Sequence, residues 1–257
     1  MNKTIIATTV MAIALSSGGA AIAQDKSPPE PQFFGVSVGA KGQIGGNYLT
    51  DPKDAPSWAP IYEDGAGGIG GGGGLYAEFR VLEGHLGLEF DVLFEGNKNW
   101  ASMEYNNVVD TDWITRFNTV RMPLLVEGSL EGDRTRVSLG VGPEFVVGFD
   151  ASTDIEVTEG SQYVQSSDLT TLKDNFHGKT QTDTFLCAGL GLAFKVWKLA
   201  ITLDLRYSYN LTQPDKYADR VSVEQVSGDL YSISTIASST MDMRILLGIS
   251  YELGFDL

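Results

Sequence analysis

The sequence predicts an all-β fold, an eight-stranded antiparallel transmembrane up-and-down β-barrel. Three observations lead there. Long segments alternate apolar and polar residues with a period of two, the signature of strands with unlike faces. Their connections alternate between tight turns and long loops, as in barrels that cross a bilayer. Aromatic residues of the apolar faces collect near both segment ends.

Residues 199–212 display the pattern most fully. Leu199, Ile201, Leu203, Leu205, Tyr207, Tyr209 and Leu211 share one face, and Ala200, Thr202, Asp204, Arg206, Ser208, Asn210 and Thr212 share the other. Most strands run to about five or six residues. A transmembrane strand needs roughly nine to eleven, apolar toward lipid and polar toward the lumen.

In chain order, residues 1–23 read as a cleaved signal peptide: Lys3, an apolar run from Ile5 to Leu15, and Ala21-Ile22-Ala23 before the cut. Residues 24–32, with Pro28, Pro29 and Pro31, form a flexible extended lead-in. The barrel domain then occupies residues 33–257. Cys187 is the single cysteine, which excludes an intrachain disulfide. The formal charge of −15 argues against nucleic acid as a partner, whose phosphates need a basic footprint.

Eight segments follow, each with an outward apolar and an inward polar face. The first, residues 33–44, turns Phe34, Val36 and Val38 outward and Lys41 inward. The second, 69–81, turns Leu75 and Phe79 outward, Glu78 and Arg80 inward. After a tight turn at Leu82-Glu83-Gly84 the third carries Leu86, Leu88, Phe90 and Phe94 against Glu89, Asp91 and Glu95. The fourth, 113–130, carries Val120, Met122, Leu124 and Val126 against Arg121, Pro123 and Glu127. Pro123 has no N–H to donate, so the ladder should break there.

The turn at 131–134 leads to the fifth, with Val137, Leu139, Phe145 and Phe149 against Arg136 and Glu144. The sixth sets Leu186 to Val196 against Phe185, Cys187 and Lys195. Trp197-Lys198 turns into 199–212. The last sets Met243, Ile245, Leu247, Tyr251 and Phe255 against Asp242, Arg244 and Glu252. Long loops are expected at 45–68, 96–112, 150–182 and 213–240. Residues 221–226 and 230–236 read as short hairpin extensions, or as two further strands of a ten-stranded alternative.

Within the apolar faces, Phe34, Phe79, Phe194, Tyr251 and Phe255 fall at the turn end, and Phe94, Phe145, Phe149, Tyr207 and Tyr209 toward the loop end, forming two aromatic girdles. The inward charges, Lys41, Glu78, Arg80, Glu89, Asp91, Glu95, Arg121, Glu127, Arg136, Glu144, Lys195, Asp204, Arg206, Asp242, Arg244 and Glu252, should pair across the lumen, because an unpaired buried charge is costly. Eight strands enclose a space that side chains can fill, so a plugged lumen is expected before an open pore. Surplus acid then sits in the loops, for example Asp110, Asp112, Asp154, Glu156, Glu159, Asp168 and Asp174.

No catalytic, cofactor or metal motif stands out. No D-x-D-x-D-G calcium loop occurs. The run Gly67–Gly74 matches G-x-G-x-x-G trivially and lacks the following Lys-Ser/Thr and helix, so it reads as a flexible loop entering a crowded strand. Of the two histidines, His85 lies beside a turn. His177, near Ser166, Ser167 and Asp174, is the sole candidate base for lipid-A chemistry, and no motif supports it. No enzyme is expected.

Arg121-Met122-Pro123-Leu124-Leu125, Val141-Gly142-Pro143 and the final Gly248-Ile249-Ser250-Tyr251-Glu252-Leu253 complete a pattern that resembles the small outer-membrane β-barrels of Gram-negative bacteria, the OmpA/OmpX-like eight-stranded group. The chain ends in Leu257, where such chains often end in Phe or Trp. The resemblance implies a monomer in the cell outer membrane, with loops outward and both termini periplasmic. It implies contact with lipid and lipopolysaccharide, insertion by the barrel-assembly machinery through the terminal segment, and roles ranging from anchoring and adhesion to weak conduction or lipid chemistry. From the pattern we expect a structural or surface-interaction role, with an extracellular ligand bound through the loops as one form of it, a small channel as the alternative and a lipid-A-modifying enzyme as the second alternative.

Overall fold

Period-two alternation becomes long strands wherever both edges find a neighbour. The computed structural model describes residues 34–48, 61–62, 67–81, 85–105, 108–178, 180–212 and 241–255. Its strands are β1 Phe34–Tyr48, β2 Ile61–Tyr62, β3 Gly67–Val81, β4 Leu86–Tyr105, β5 Val109–Glu131, β6 Thr135–Glu159, β7 Gln181–Val196, β8 Leu199–Asn210 and β9 Met241–Phe255. A short 3-10 helix, Ser161–Tyr163, and an α-helix, α1 Ser166–Phe176, lie between β6 and β7. The segments 1–23, 24–32, 221–226 and 230–236 lie outside the described residues.

Eight of the strands form a closed antiparallel ring, ordered β4-β3-β1-β9-β8-β7-β6-β5 and back to β4; the two-residue β2 is an addition on β4. Closure joins the first strand to the last through pairs such as Ser37↔Glu252. Closure also removes the free edges that would otherwise recruit other chains.

The ladders carry a fixed stagger. Starting at Asn97 and stepping through Gly70, Gly45, Arg244, Arg206, Gly189, Gly140 and Glu127, the register returns to β4 at Gly87, ten residues away. With eight strands, about 3.3 Å per residue and about 4.7 Å between strands, that stagger implies a tilt of roughly 40° and a backbone radius of roughly 8 Å.

The ring is inside-out relative to a soluble protein. Leu203 is 48 % exposed, while Arg206, three residues on, is 1 % exposed. The same alternation runs along β4, β7 and β9. At Pro123 the β4–β5 ladder lapses between Phe90↔Leu124 and Leu93↔Arg121 and resumes in the same register. The missing donor therefore costs pairing without shifting the strand.

Two expected loop regions are strand over much of their length. β4 and β5 run on through 96–112, and β6 continues to Glu159, so Asp110, Asp112, Asp154, Glu156 and Glu159 lie on strands. The physical reason is an inversion of polarity. Beyond Gly96 the alternation persists with its faces exchanged: Ala101, Met103, Val109, Trp113 and Ile155 are buried, while Lys98, Asp112, Arg116, Asp154 and Glu156 are exposed. A reading keyed to apolar residues outward loses the strand where the outside becomes polar.

The inversion coincides with a β-bulge. Register slips between Arg116↔Ser152 and Asn118↔Phe149, so Phe117 faces two residues, Asp150 and Ala151. Asp150 takes the left-handed conformation at φ 57°. A bulge moves the outward set from odd to even positions along β6. Phe149 is accordingly half-buried rather than fully outward.

Gly67–Gly74 is also strand, not loop, paired on both edges with β1 and β4. A Cβ at Gly72 would run into the Phe94 carbonyl, so this stretch needs glycine for close approach of backbones.

Candidate functional site

Most of the charged side chains that pair among the described residues do so in the lumen, and the stagger decides who meets whom. Strands alternate inward residues every second position. The ring then sets β3, β5, β7 and β9 about a quarter-turn apart, and β4 faces β8 across the diameter.

At the turn end, four charges of alternating sign close a square. Arg80 of β3 donates to Glu131 of β5 at 3.0 Å and to Glu252 of β9 at 2.7 Å; Lys195 of β7 reaches Glu131 at 2.7 Å and Glu252 at 3.5 Å. Arg80 also donates to Ser37 Oγ at 2.6 Å. Above it, Arg136 of β6 donates to Glu78 of β3 at 2.8 Å.

The middle tier gathers around Lys41. Its ammonium lies 2.8 Å from both Glu89 and Asp204, and 4.2 Å from the centre of the Tyr76 ring. Arg206 of β8 spans the lumen to β4, where it meets Asp91 at 2.6 Å and also Glu89. The upper tier centres on Glu144, which accepts both terminal nitrogens of Arg244 at 2.6 Å and the Ser208 hydroxyl at 2.7 Å. Arg121 of β5 donates to Glu95 at 2.6 Å and, across the diameter, forms an ion pair with Asp242 of β9 at 2.7 Å.

Of the sixteen charges that the alternation places inward, Glu95 included, fifteen join these ion pairs. Glu127 differs: it is buried yet has no ion pair among the described residues. Gly87 and Gly140 flank it in register. The sequence reading missed Glu131, assigned to a turn; it continues the inward series Glu127, Ser129, Glu131. It also missed Ser37 and Ser208, whose hydroxyls bond the charges, and Tyr76, whose ring face lies under the Lys41 ammonium. Cys187, on the inward face of β7, is fully buried.

Outward, Phe79 and Phe194 are exposed at the turn end, with Tyr251 at 36 %, and Phe94, Phe145, Tyr207 and Tyr209 are exposed toward the loop end. Phe34 and Phe255 pair with each other in the β1–β9 ladder.

The loop end carries different chemistry. Arg116 donates to Asp154 at 2.6 Å on the exposed face, and this bond holds the Asp154 carboxyl below its ordinary value. Asp168 is buried and caps α1, accepting from the Gln165 N–H at 3.2 Å. His177 and the Ser166 and Ser167 hydroxyls are not brought together. His177 follows the C-terminus of α1, exposed, while Ser166 and Ser167 begin it. An eleven-residue helix is roughly 16 Å long, so base and hydroxyls stand far apart. Among the described residues, no group of His, Cys, Asp and Glu is placed to hold a metal ion.

Residues 10–236 match the family model described as outer membrane protein beta-barrel domain. No curated protein matches the chain. Among solved structures, the chain is similar to Ail, the attachment invasion locus protein of Yersinia pestis, in complex with the heparin analogue sucrose octasulfate, at 10 % identity and TM-score 0.36, covering 85 % of this chain and 99 % of that one. It is also similar to the N-terminal β-barrel domain of Pseudomonas aeruginosa OprF, at 11 % identity and TM-score 0.34, covering 85 % and 97 %. Neisserial surface protein A matches at 12 % identity and TM-score 0.35, covering 86 % and 97 %.

Proposed function

Because the chain belongs to the outer membrane protein β-barrel domain family, we propose that it is a structural and surface-interaction protein. Its barrel is sealed by its own side chains, and its loop end is the working surface. The observation that carries this reading is the tiered ion-pair lattice, in which Arg206 and Arg244 are both buried and reach carboxylates on distant strands. A lumen of roughly 8 Å backbone radius holding these side chains leaves little room for solute.

In the proposed orientation both termini and the three tight turns face the periplasm, and the β4–β6 extension, α1 and the long connections face outward. Outer-membrane barrels generally place short turns inside and long loops outside. The barrel inserts through the barrel-assembly machinery and remains a monomer, and any extracellular ligand binds the acidic loop end. Orientation is tested in intact cells in a Cys187→Ser background. A membrane-impermeant maleimide should label Thr158→Cys and spare Lys198→Cys; the reverse pattern inverts the proposal. Trimming the loop-end segments should leave an assembled barrel and abolish adhesion if the surface role is correct. Full adhesion after trimming would remove it.

Glu127 favours a second reading, a narrow ion path, because it is the one inward carboxylate of the expected set without an ion pair among the described residues and two glycines lie beside it. A lipid-modifying enzyme has His177 as its sole candidate base. His177→Ala is expected to leave the lipid A profile unchanged, and an altered profile would revive catalysis.

A further inference from the structure

The outward face at the loop end holds a charge arrangement that the lumen account does not use. Lys98 of β4 and Arg116 of β5 are direct partners in the ladder, and both are exposed. Directly opposed side chains stand about 5 Å apart at Cβ, and like charges there repel. Asp154 engages one terminal nitrogen of Arg116. Lys98 has no ion pair among the described residues.

The two cations edge a groove of about 520 Å³ on the outside of the barrel. Gly71 and Gly96, paired with each other, leave its floor without side chains, and Ile44 and Ile69 line one side. The other side carries Asn118 and the bulged Asp150, whose carboxylate accepts from the Asn118 amide at 3.4 Å.

The height of the groove matters. At about 3.3 Å per residue and roughly 40° of tilt, Phe94 stands roughly 20 Å above Leu86 along the barrel axis and Lys98 roughly 30 Å. The apolar band of such barrels is about 25 Å tall. The groove therefore opens at the top of the lipid band, with its cations just above it. The exposed carboxylates Asp112, Asp154 and Glu156 lie farther toward the tip.

We propose that this groove binds a phosphorylated headgroup of an outer-leaflet glycolipid. One phosphate bridges Lys98 and Arg116, and the adjoining acyl chain lies over Gly71, Gly96, Ile44 and Ile69. A phosphate between the two cations relieves their mutual repulsion and forms charge-assisted hydrogen bonds with both. The apolar, glycine-floored side fits a chain rather than a soluble ion. The proposal rests on the orientation given above.

The test uses the full barrel refolded in detergent micelles, with lipid A carrying both phosphates and its dephosphorylated form as probes, read by native mass spectrometry. Phosphorylated lipid A should bind at least about tenfold more tightly, the scale of one charge-assisted contact. The pair Lys98→Ala and Arg116→Ala should abolish that preference. Asp154→Asn should strengthen it by releasing Arg116, and Lys198→Ala, at the turn end, should leave it unchanged. Heat-modifiable mobility confirms folding; if the alanine pair does not fold, Lys98→Gln with Arg116→Gln is read instead. Equal binding of both lipids by the wild-type barrel, or an undiminished preference in the folded double variant, overturns the site. Neither result touches orientation, which maleimide labelling decides separately.

Discussion

Arg206 and Arg244 stand directly opposite each other in the β8–β9 ladder, both inward and each about 1 % exposed. Two adjacent buried guanidinium groups are tolerable only because they part company. Arg206 reaches across the lumen to Glu89 and Asp91 on β4, and Arg244 turns to Glu144 on β6. The lattice thus ties strands that share no backbone hydrogen bonds.

Removing one partner of such a pair leaves a buried charge uncompensated, at about 3–5 kcal/mol. Arg244→Met should therefore destabilise the barrel by about that amount, measured by urea unfolding in lipid vesicles. Adding Glu144→Gln should recover most of the loss, because the double variant buries no orphan charge. A double variant no better than the single would place the cost elsewhere.

Packing inside the ring is equally exacting at Gly248. A Cβ there would meet Thr202 Oγ1 at 2.5 Å and Lys41 Cγ at 2.9 Å. Gly248→Val should push Lys41 from its two carboxylates and cost about 1–3 kcal/mol, the usual scale of overpacking. Thermal unfolding reports the change, and an unaltered midpoint would contradict the geometry.

The outward face obeys the opposite rule. Leu203→Arg, in the apolar band, should cost about 2–4 kcal/mol in vesicles. Thr158→Arg, exposed on the β6 extension, should stay within about 0.5 kcal/mol. Similar costs at both sites would argue that the band does not face lipid.

The Arg116–Asp154 bond titrates with a definite sign. Since the folded carboxyl lies below its ordinary value, the pair stabilises the extension above the ordinary aspartate range, and the contribution fades as pH falls through the folded value. A carbon-13 titration of the Asp154 carboxyl should show a lowered midpoint that returns to the ordinary range in Arg116→Gln.

The barrel was legible because residues such as Leu199 to Tyr209 combine strand length with strict alternation and a charged inner face, and the bilayer dictates both. The extension was not, since Ala101, Met103, Val109 and Trp113 turn apolar faces inward where water replaces lipid outside, reversing the cue. Glu131 escaped notice because its flanking Gly132 and Asp133 read as turn residues, although it keeps the inward period. The charged set itself was visible strand by strand. Its pairing was not, because partners such as Arg206 and Asp91 are joined only by the ten-residue stagger of the closed ring.

The sealed lumen is the central claim, and planar-bilayer recording of the refolded protein tests it most directly. Wild-type barrel is expected to leave the membrane silent across voltage and pH, while the pair Arg206→Ala and Arg244→Ala, once shown to fold, should open discrete conductance steps. Steady unitary currents through the wild-type protein would contradict the account.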